Sequence, residues 1–254
     1  MNDEKNTVYF NNPVLQKTID NAKLIIFDVN GLIIDDEPIQ LEAVNLALKF
    51  MNYIPIDKSY WIQHCVGHRA DSYFRRIIYE NTSEKSDNVE VDANRIVSDL
   101  IKIKNQYYIR ILKKKIFSIV RKGFLSFIEY LYNRKAFANL KLAIATSAVN
   151  DEAEAIIGSD GLNIEGYFDY IVTGSDIKKS KPDPEIYLKV LQKAKIKPEY
   201  GLVFEDSEMG VEAASAAGMN VIAMPNEFTK NQNFKKAKYI ISDFTKRAEL
   251  YSQR

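Results

Sequence analysis

The chain has 254 residues, 46% of them hydrophobic, so it can bury a large core within one domain or a domain that carries an insertion. Its 35 basic and 34 acidic side chains nearly cancel, and no global field favours nucleic acid or an anionic membrane. Cys65 is the single cysteine, which excludes an intramolecular disulfide and a thiolate-built metal site. Residues 1–22 lack a signal-peptide pattern and no apolar run reaches 18 residues, so we expect a cytoplasmic protein.

Short apolar runs with β-branched or aromatic content are typical of buried strands, and six of them recur along the chain. They are residues 24–27, 142–146, 170–173, 202–204, 221–224 and 239–242. Helix-like segments separate the later runs, at residues 150–157, 184–194 and 207–217. This alternation predicts an α/β protein with a parallel sheet covered by helices on both faces.

More than a hundred residues separate the first two strand-like runs, and this long segment has a helical pattern. Apolar residues recur at spacings of three and four in residues 39–51, 69–80, 93–115 and 123–134. We therefore expect an α/β core formed by residues 1–38 and 116–254, with residues 1–22 as an N-terminal extension. A helical domain, residues 39–115, is inserted after the first strand, and residues 81–88 form a loop within it.

The basic stretch at residues 111–123 has two interpretations. It could contact nucleic acid, or its lysines Lys113 to Lys115 could lie at a helix C-terminus, where the helix dipole favours cations. We favour the helix C-terminus, because the preceding residues carry a strong helical pattern. We accordingly expect no nucleic-acid partner.

Chemically useful side chains stand where the predicted strands end, which is where ligands bind in open α/β sheets. Asp28 follows the first strand, Thr146 ends the second, and Glu205 and Asp206 follow a later one, while Lys181 precedes a helix. Taken singly, such residues are usually turn formers, helix caps or solvated charges. Together they supply a carboxylate nucleophile, a hydroxyl donor, a cation and acidic metal ligands, as phosphoryl transfer around magnesium requires.

Four segments in this order carry a resemblance to a known family: FDVNGLIIDDEP, IATSA, SKPDPEIY and VFEDSEMGVEAASAAGM. They resemble the four motifs of the haloacid dehalogenase superfamily, most closely those of its β-phosphoglucomutase-like phosphatases and phosphomutases. The resemblance covers residues 24–223. It implies a Rossmann-like core with a helical cap inserted after the first strand, and Mg²⁺ as the cofactor.

The resemblance also implies roles for individual residues. Asp28 becomes the nucleophile that forms an aspartyl-phosphate. Magnesium is held by the Asp28 carboxylate, the backbone carbonyl of Asn30 and the Asp206 carboxylate, with Glu205 as a further ligand or a neighbour of the ligands. Thr146 donates to the phosphoryl oxygens.

Further residues complete the expected site. Lys181 neutralises the phosphoryl charge and steers the nucleophile, while the backbone of Ser147 and Ala148 offers N–H groups at the following helix start. In the cap, the stretch CVGHRADSYF resembles a loop that presents a cation, which makes His68 and Arg69 candidates for substrate binding. Glu37 is a further candidate for facing the substrate.

Asn30 departs from the family pattern, because an Asp at this position serves as the general acid and base. An amide cannot exchange a proton, so we expect a magnesium-dependent phosphohydrolase of a small phosphorylated metabolite, above all a sugar phosphate, that is impaired at this step. A low-activity or engineered form, a phosphomutase, and a catalytically silent member that binds a phosphorylated ligand remain alternatives. Glu205 and Asp206 disfavour dehalogenation, which does not use the metal site. We expect a monomer without a membrane partner.

Overall fold

The computed structural model describes residues 9–81 and 89–251 of the chain. The α-helices of this part are α1 Pro13–Asn21, α2 Glu37–Phe50, α3 Lys58–His64, α4 Ala70–Asn81, α5 Val89–Lys115, α6 Phe124–Ala138, α7 Asn150–Ile157, α8 Glu185–Ala194 and α9 Glu208–Ala216. The strands are β1 Leu24–Phe27, β2 Lys141–Ala145, β3 Tyr170–Val172, β4 Gly201–Glu205, β5 Asn220–Ala223, β6 Tyr239–Ile241 and β7 Leu250–Tyr251. The loop expected at residues 81–88 lies outside the described residues, except for Asn81, which ends α4.

The seven described strands form one sheet in the order β3-β2-β1-β4-β5-β6-β7. The six strands from β1 to β6 are parallel, which confirms the predicted α/β class. The sequence did not predict β7, a two-residue strand that pairs antiparallel with β6 at the edge. A strand this short offers too little alternation to stand out as a pattern.

The register of the central strands determines where their ends lie. Phe27, the last residue of β1, pairs with Ile144 of β2 and Phe204 of β4. All three strands therefore reach the carboxyl edge of the sheet at the same level. The residues that follow, Asp28, Ala145 and Glu205, therefore lie side by side at this edge.

The two faces of the sheet are covered by different apolar layers, because successive side chains of a strand point to opposite faces. On one face the Phe27 and Phe204 rings stack with centroids 5.1 Å apart, and Phe127 and Phe244 pack against Phe204. The other face carries aliphatic side chains of the strands and of α8 and α9. The full burial of both faces explains why these strands are continuously hydrophobic.

The N-terminal extension contributes to the aromatic layer. Tyr9 and Phe10 are buried, and their backbone N–H groups both donate to the side-chain oxygen of Gln16 at 2.9 Å. The Tyr9 ring lies 5.0 Å from Phe127, and its hydroxyl donates to the Phe244 carbonyl at 2.8 Å. Tyr9 and Phe10 are therefore packed into the core.

The chain divides into two compact units, residues 36–115 and the remainder. The helical unit begins three residues earlier than the domain expected from the sequence, because α2 begins at Glu37. Within this unit the buried Asp36 carboxylate accepts hydrogen bonds from Tyr108 of α5 at 2.7 Å and Gln40 of α2 at 3.1 Å. Among the described residues, no helix combines the length and hydrophobicity needed to cross a bilayer.

Candidate active site

A buried lysine joins two carboxylates at the carboxyl edge of the sheet. The ammonium of Lys181 lies 2.6 Å from Asp28 Oδ1 and 2.6 Å from Glu205 Oε1, and it donates to the Ala145 carbonyl at 3.3 Å. The loop before α8 supplies Lys181, while Asp28 and Glu205 come from the ends of adjacent strands. Three segments that are distant in sequence thus converge on one point.

Glu205 is a structural anchor in this arrangement. Its Oε1 accepts from Lys181 and from the Tyr187 hydroxyl at 2.7 Å. Its Oε2 accepts from the backbone N–H groups of Asp206 and Ser207 and from the Ser207 hydroxyl, at 3.0 to 3.3 Å. Both carboxylate oxygens are therefore engaged by donors of the protein, and Glu205 serves mainly to hold Lys181 in place.

Gly210 makes room for this anchor. A Cβ atom added to Gly210 would lie 1.9 Å from Glu205 Oε1, so no other residue fits without a shift. Small residues on a helix face usually allow close packing against a sheet, and at Gly210 this close approach has a more specific reason. The helix approaches closely enough to enclose a carboxylate that supports the site.

The third carboxylate, Asp206, completes a cluster. Oxygen atoms of Asp28, Glu205 and Asp206 lie within 4.8 Å of one another, and all three side chains are buried. The Lys181 ammonium contacts two of these three buried carboxylates, Asp28 and Glu205, so the carboxylates outnumber the ammonium groups in contact with them. A divalent cation with oxygen ligands would reduce that excess, so the donor set fits magnesium.

Burial affects the protonation of these groups. It raises the pKa of the Asp28 carboxyl to about 7, while the Lys181 ammonium opposes this rise and Glu205 adds to it. Burial also works against the charge of Lys181, yet its contacts with Asp28 and Glu205 outweigh burial and raise the lysine pKa well above its usual value. Lys181 is therefore a fixed cation within the cluster.

Thr146 and Asn30 stand beside the cluster in hydrogen-bond contact. The Thr146 hydroxyl donates to Asn30 Oδ1 at 3.3 Å and accepts from the backbone N–H of Ala148 at 3.1 Å. The Ala148 N–H, expected to be offered to a phosphate, is thus engaged within its own loop. Ser147 also differs from its expected position at a helix start, because α7 begins only at Asn150.

The remaining sequence-predicted residues belong to the helical unit. Glu37 is buried, and its carboxylate accepts from the Trp61 indole N–H at 2.7 Å. Arg69 is half-buried, with its Nε 3.6 Å from the Asp71 carboxylate. His68 follows Gly67, whose φ of +80° lies in the left-handed region that favours glycine. Burial lowers the pKa of His68, and the Arg76 guanidinium adds to that effect.

Tyr187, Asn226 and Arg121 also contact the site, and sequence reasoning missed all three. Tyr187 donates to Glu205, and the Asn226 side-chain amide donates to Asp206 Oδ2 at 2.8 Å. Arg121 lies within the basic stretch assigned to a helix C-terminus, where α5 does end in three lysines. Asn226 follows β5 closely, so the strand-end rule could have identified it.

Position 31 requires glycine for two reasons, its left-handed backbone conformation and the lack of space for a side chain. Its φ is +80°, and an added Cβ would lie 2.2 Å from Asp206 Oδ2. We expect Gly31→Ala to lower the free energy of unfolding by about 2 kcal/mol or more, because left-handed strain adds to steric overlap. Urea denaturation measures this loss.

Gly166→Ala is the matched control, since an added Cβ there meets nothing within 4 Å. Its stability should stay within about 0.5 kcal/mol of the parent, as for ordinary surface substitutions. Equal stability of Gly31→Ala and the parent would contradict the close approach of Asp206 to the turn.

Comparison with known proteins identifies the family. The profile of haloacid dehalogenase-like hydrolases matches residues 25–224. A phosphorylated carbohydrates phosphatase from Thermotoga maritima is 34% identical over 201 residues, covering 78% of this chain and 82% of the relative. Protein CbbY from Rhodobacter capsulatus is 28% identical over 232 residues, covering 88% of this chain and 94% of the relative.

Solved structures share the fold. The crystal structure of a mutant of CbbY from Rhodobacter sphaeroides in complex with xylulose-1,5-bisphosphate superposes with a TM-score of 0.75 at 22% identity, over 88% of this chain and 95% of that one. β-Phosphoglucomutase from Clostridium difficile gives a TM-score of 0.69 at 22% identity, over 88% and 92% of the two chains. The extent of the profile match and the identity to the Thermotoga phosphatase show that the chain is an enzyme of the haloacid dehalogenase-like hydrolase family, in its phosphatase group.

Proposed function

We propose that the chain is a magnesium-dependent phosphohydrolase of a small phosphorylated metabolite, which acts through an aspartyl-phosphate on Asp28. One observation carries the proposal. The buried Asp28 carboxylate is fixed at a strand end by Lys181, at 2.6 Å, within a cluster of three carboxylates. A carboxylate nucleophile beside a fixed cation and a cluster of acidic oxygens is suited to phosphoryl transfer.

Magnesium would be held by the carboxylates of Asp28 and Asp206 and by the backbone carbonyl of Asn30. When bound, it would neutralise charge on the transferring phosphoryl group. The five hydrogen bonds to the oxygens of Glu205 favour a supporting role for that residue over direct ligation. Asp206 is thus the more important of the two adjacent acids for metal affinity.

The reaction proposed for Asp28 has two steps. A carboxylate oxygen of Asp28 forms a bond to phosphorus while the bond from phosphorus to the substrate oxygen breaks, and that oxygen leaves with a proton drawn from water. Water then attacks the phosphorus of the aspartyl-phosphate, which releases inorganic phosphate and restores the carboxylate. Lys181 fixes the orientation of Asp28 in both steps.

Thr146 is placed to hold the phosphoryl group. Its hydroxyl carries one proton, which it donates to Asn30 Oδ1 in the absence of substrate. Donation to a phosphoryl oxygen would replace this bond, and the hydroxyl would keep accepting from the Ala148 N–H. The Thr146 side chain is thereby held by its own loop before substrate binds.

We propose that the substrates are sugar phosphates. We also propose that residues of the helical unit determine which sugar phosphate binds. The phosphatase of phosphorylated carbohydrates named above supports this choice through its identity over most of both chains. Arg69, His68 and Glu37 are the candidates for binding the part of the substrate that does not react. A guanidinium is suited to this task because it binds two oxygens of a phosphate or a sugar at once.

Arg69→Ala should raise KM for the preferred sugar phosphate by roughly tenfold, the effect of losing one hydrogen bond to a charged group. Turnover of a small aryl phosphate should change little, because that substrate lacks the distal group. Steady-state kinetics on both substrates measure the difference. Arg75→Ala, on the exposed surface of α4, is the matched control, and equal losses on both substrates would make Arg69 structural.

A panel of phosphorylated metabolites, assayed with Mg²⁺ for inorganic phosphate, tests the proposed function. Release of phosphate from sugar phosphates, lost when Mg²⁺ is chelated, is the expected result. Isomerised sugar phosphate without phosphate release would identify a phosphomutase. Saturable binding of a panel member with neither product would identify a binding protein, which the amide of Asn30 favours among the alternatives.

A further inference from the structure

Asn226 is a buried amide whose orientation is fixed by its own loop. Its Oδ1 accepts from the backbone N–H groups of Phe228 at 2.8 Å and Thr229 at 3.1 Å. The N–H of Asn226 in turn donates to the Thr229 hydroxyl at 3.0 Å, and Thr229 is fully buried. Because an amide oxygen accepts and an amide nitrogen donates, these contacts determine which end of the side chain faces the active site.

The donor end joins two loops of the site. Asn226 Nδ2 donates to Asp206 Oδ2 at 2.8 Å and to the Gly31 carbonyl at 3.4 Å. These loops carry Asp206 and Asn30, two of the proposed magnesium ligands. The missing side chain of Gly31 permits the contact, since an added Cβ would lie 2.9 Å from Asn226 Nδ2.

Arg121 anchors the same region from a different element. Its guanidinium donates to the Gly31 carbonyl at 3.0 Å and to the carbonyls of Met224 and Pro225 at 3.3 and 3.2 Å. The guanidinium therefore ties the turn after β1 to the residues just before Asn226. The side chain of Asn226 approaches Asp206 from a loop that is held on both sides.

We infer that Asn226 is a positioning residue for the metal site, which holds one oxygen of Asp206 and so orients the carboxylate for a divalent cation. The role requires a donor, because a carboxylate oxygen accepts. Groups that bind a ligating side chain commonly change metal affinity by roughly 10–100-fold when they are removed. The inference rests on the proposed function. It adds Asn226, which lies outside the four sequence segments that resemble the family motifs.

The test is the affinity of the purified full chain for Mg²⁺, measured by calorimetry without substrate. Asn226→Ser keeps a side-chain oxygen for the N–H groups of the turn but removes the amide that reaches Asp206. We expect it to weaken Mg²⁺ binding roughly tenfold. Asn226→Thr makes the same change with a bulkier side chain and replaces the Ser variant if that variant does not fold. Asp206→Ala shows how far Mg²⁺ affinity falls when a proposed ligand itself is removed.

Two controls separate positioning from folding. Asn12→Ser is the matched substitution, because Asn12 Oδ1 likewise accepts from the N–H groups two and three residues ahead, at the start of α1. Thr229→Val removes the acceptor for the Asn226 N–H but leaves the amide donor in place. Circular dichroism and thermal unfolding report how far each variant retains its structure.

A tenfold weaker Mg²⁺ affinity in folded Asn226→Ser, with Asn12→Ser and Thr229→Val within about twofold of the parent, would establish the role. Parental affinity in Asn226→Ser would overturn it, and so would an equal loss in Thr229→Val, which would assign the effect to loop stability. Failure of the parent itself to bind Mg²⁺ would overturn the proposed function as well.

Discussion

Asp28→Asn is expected to lower turnover of every phosphate ester by about 10⁴-fold or more, as removal of an enzyme nucleophile does. The amide nitrogen cannot attack phosphorus, while the amide oxygen can still accept a hydrogen bond from Lys181. The Lys181 ammonium also retains Glu205 at 2.6 Å, so the arrangement of the site should survive. Steady-state rates with Mg²⁺ measure turnover, and intact-protein mass spectrometry detects a bound phosphoryl group.

Asp57→Asn provides the control for this substitution. Asp57 caps α3 by accepting from the Tyr60 N–H at 2.7 Å, and asparagine caps a helix equally well. Its turnover should equal that of the parent. If Asp28→Asn retained a tenth of parental turnover, or still acquired a phosphoryl group, Asp28 would not be the nucleophile.

The parallel sheet could be predicted because its strands are buried on both faces. Complete burial makes β1 a continuous apolar run, which ends abruptly at the charged Asp28. The same change from apolar to polar marks Thr146 after β2 and the acids at the end of β4. Since parallel strands share a carboxyl edge, their final residues could be brought together from sequence alone.

The supporting contacts could not be predicted, because they depend on side-chain direction across distant elements. Tyr187 lies in the first turn of α8, where helical spacing suggests only a core residue, and its hydroxyl donates to Glu205. Arg121 stands in the basic stretch that we assigned to a helix C-terminus, yet its guanidinium binds three carbonyls. Neither position carries a local sequence signal for these contacts.

The different roles of Glu205 and Asp206 illustrate the same limit. Adjacent residues at a strand end point in different directions, so two neighbouring acids need not serve one purpose. Glu205 points to Lys181 and Tyr187, whereas Asp206 points to Gly31 and Asn226. Sequence identified both as possible metal ligands, and their hydrogen-bond partners distinguish the anchor from the proposed ligand.

Asn30→Asp is expected to increase turnover at least tenfold, about 1.4 kcal/mol of activation free energy. A general acid and base is worth on the order of 10²–10⁴ in rate, and the amide of Asn30 cannot supply a proton to the leaving oxygen or take one from the attacking water. An Asp of nearly the same shape can accept from the Thr146 hydroxyl as Asn30 does at 3.3 Å. Steady-state rates of both proteins on the same esters, with saturating Mg²⁺, measure the gain.

The dependence on the leaving group distinguishes proton transfer from a general effect of the added charge. An alkyl phosphate needs its leaving oxygen protonated, whereas an activated aryl phosphate does not, so the gain should be larger for the alkyl ester. With the aryl ester the parent should accumulate phosphorylated Asp28, because its second step still lacks a base. Asn12→Asp adds the same charge at a helix cap and should leave both rates unchanged. An unchanged or lower rate in Asn30→Asp would mean that the amide is an adapted part of the site, and hydrolysis would then give way to phosphorylated-ligand binding as the function of this chain.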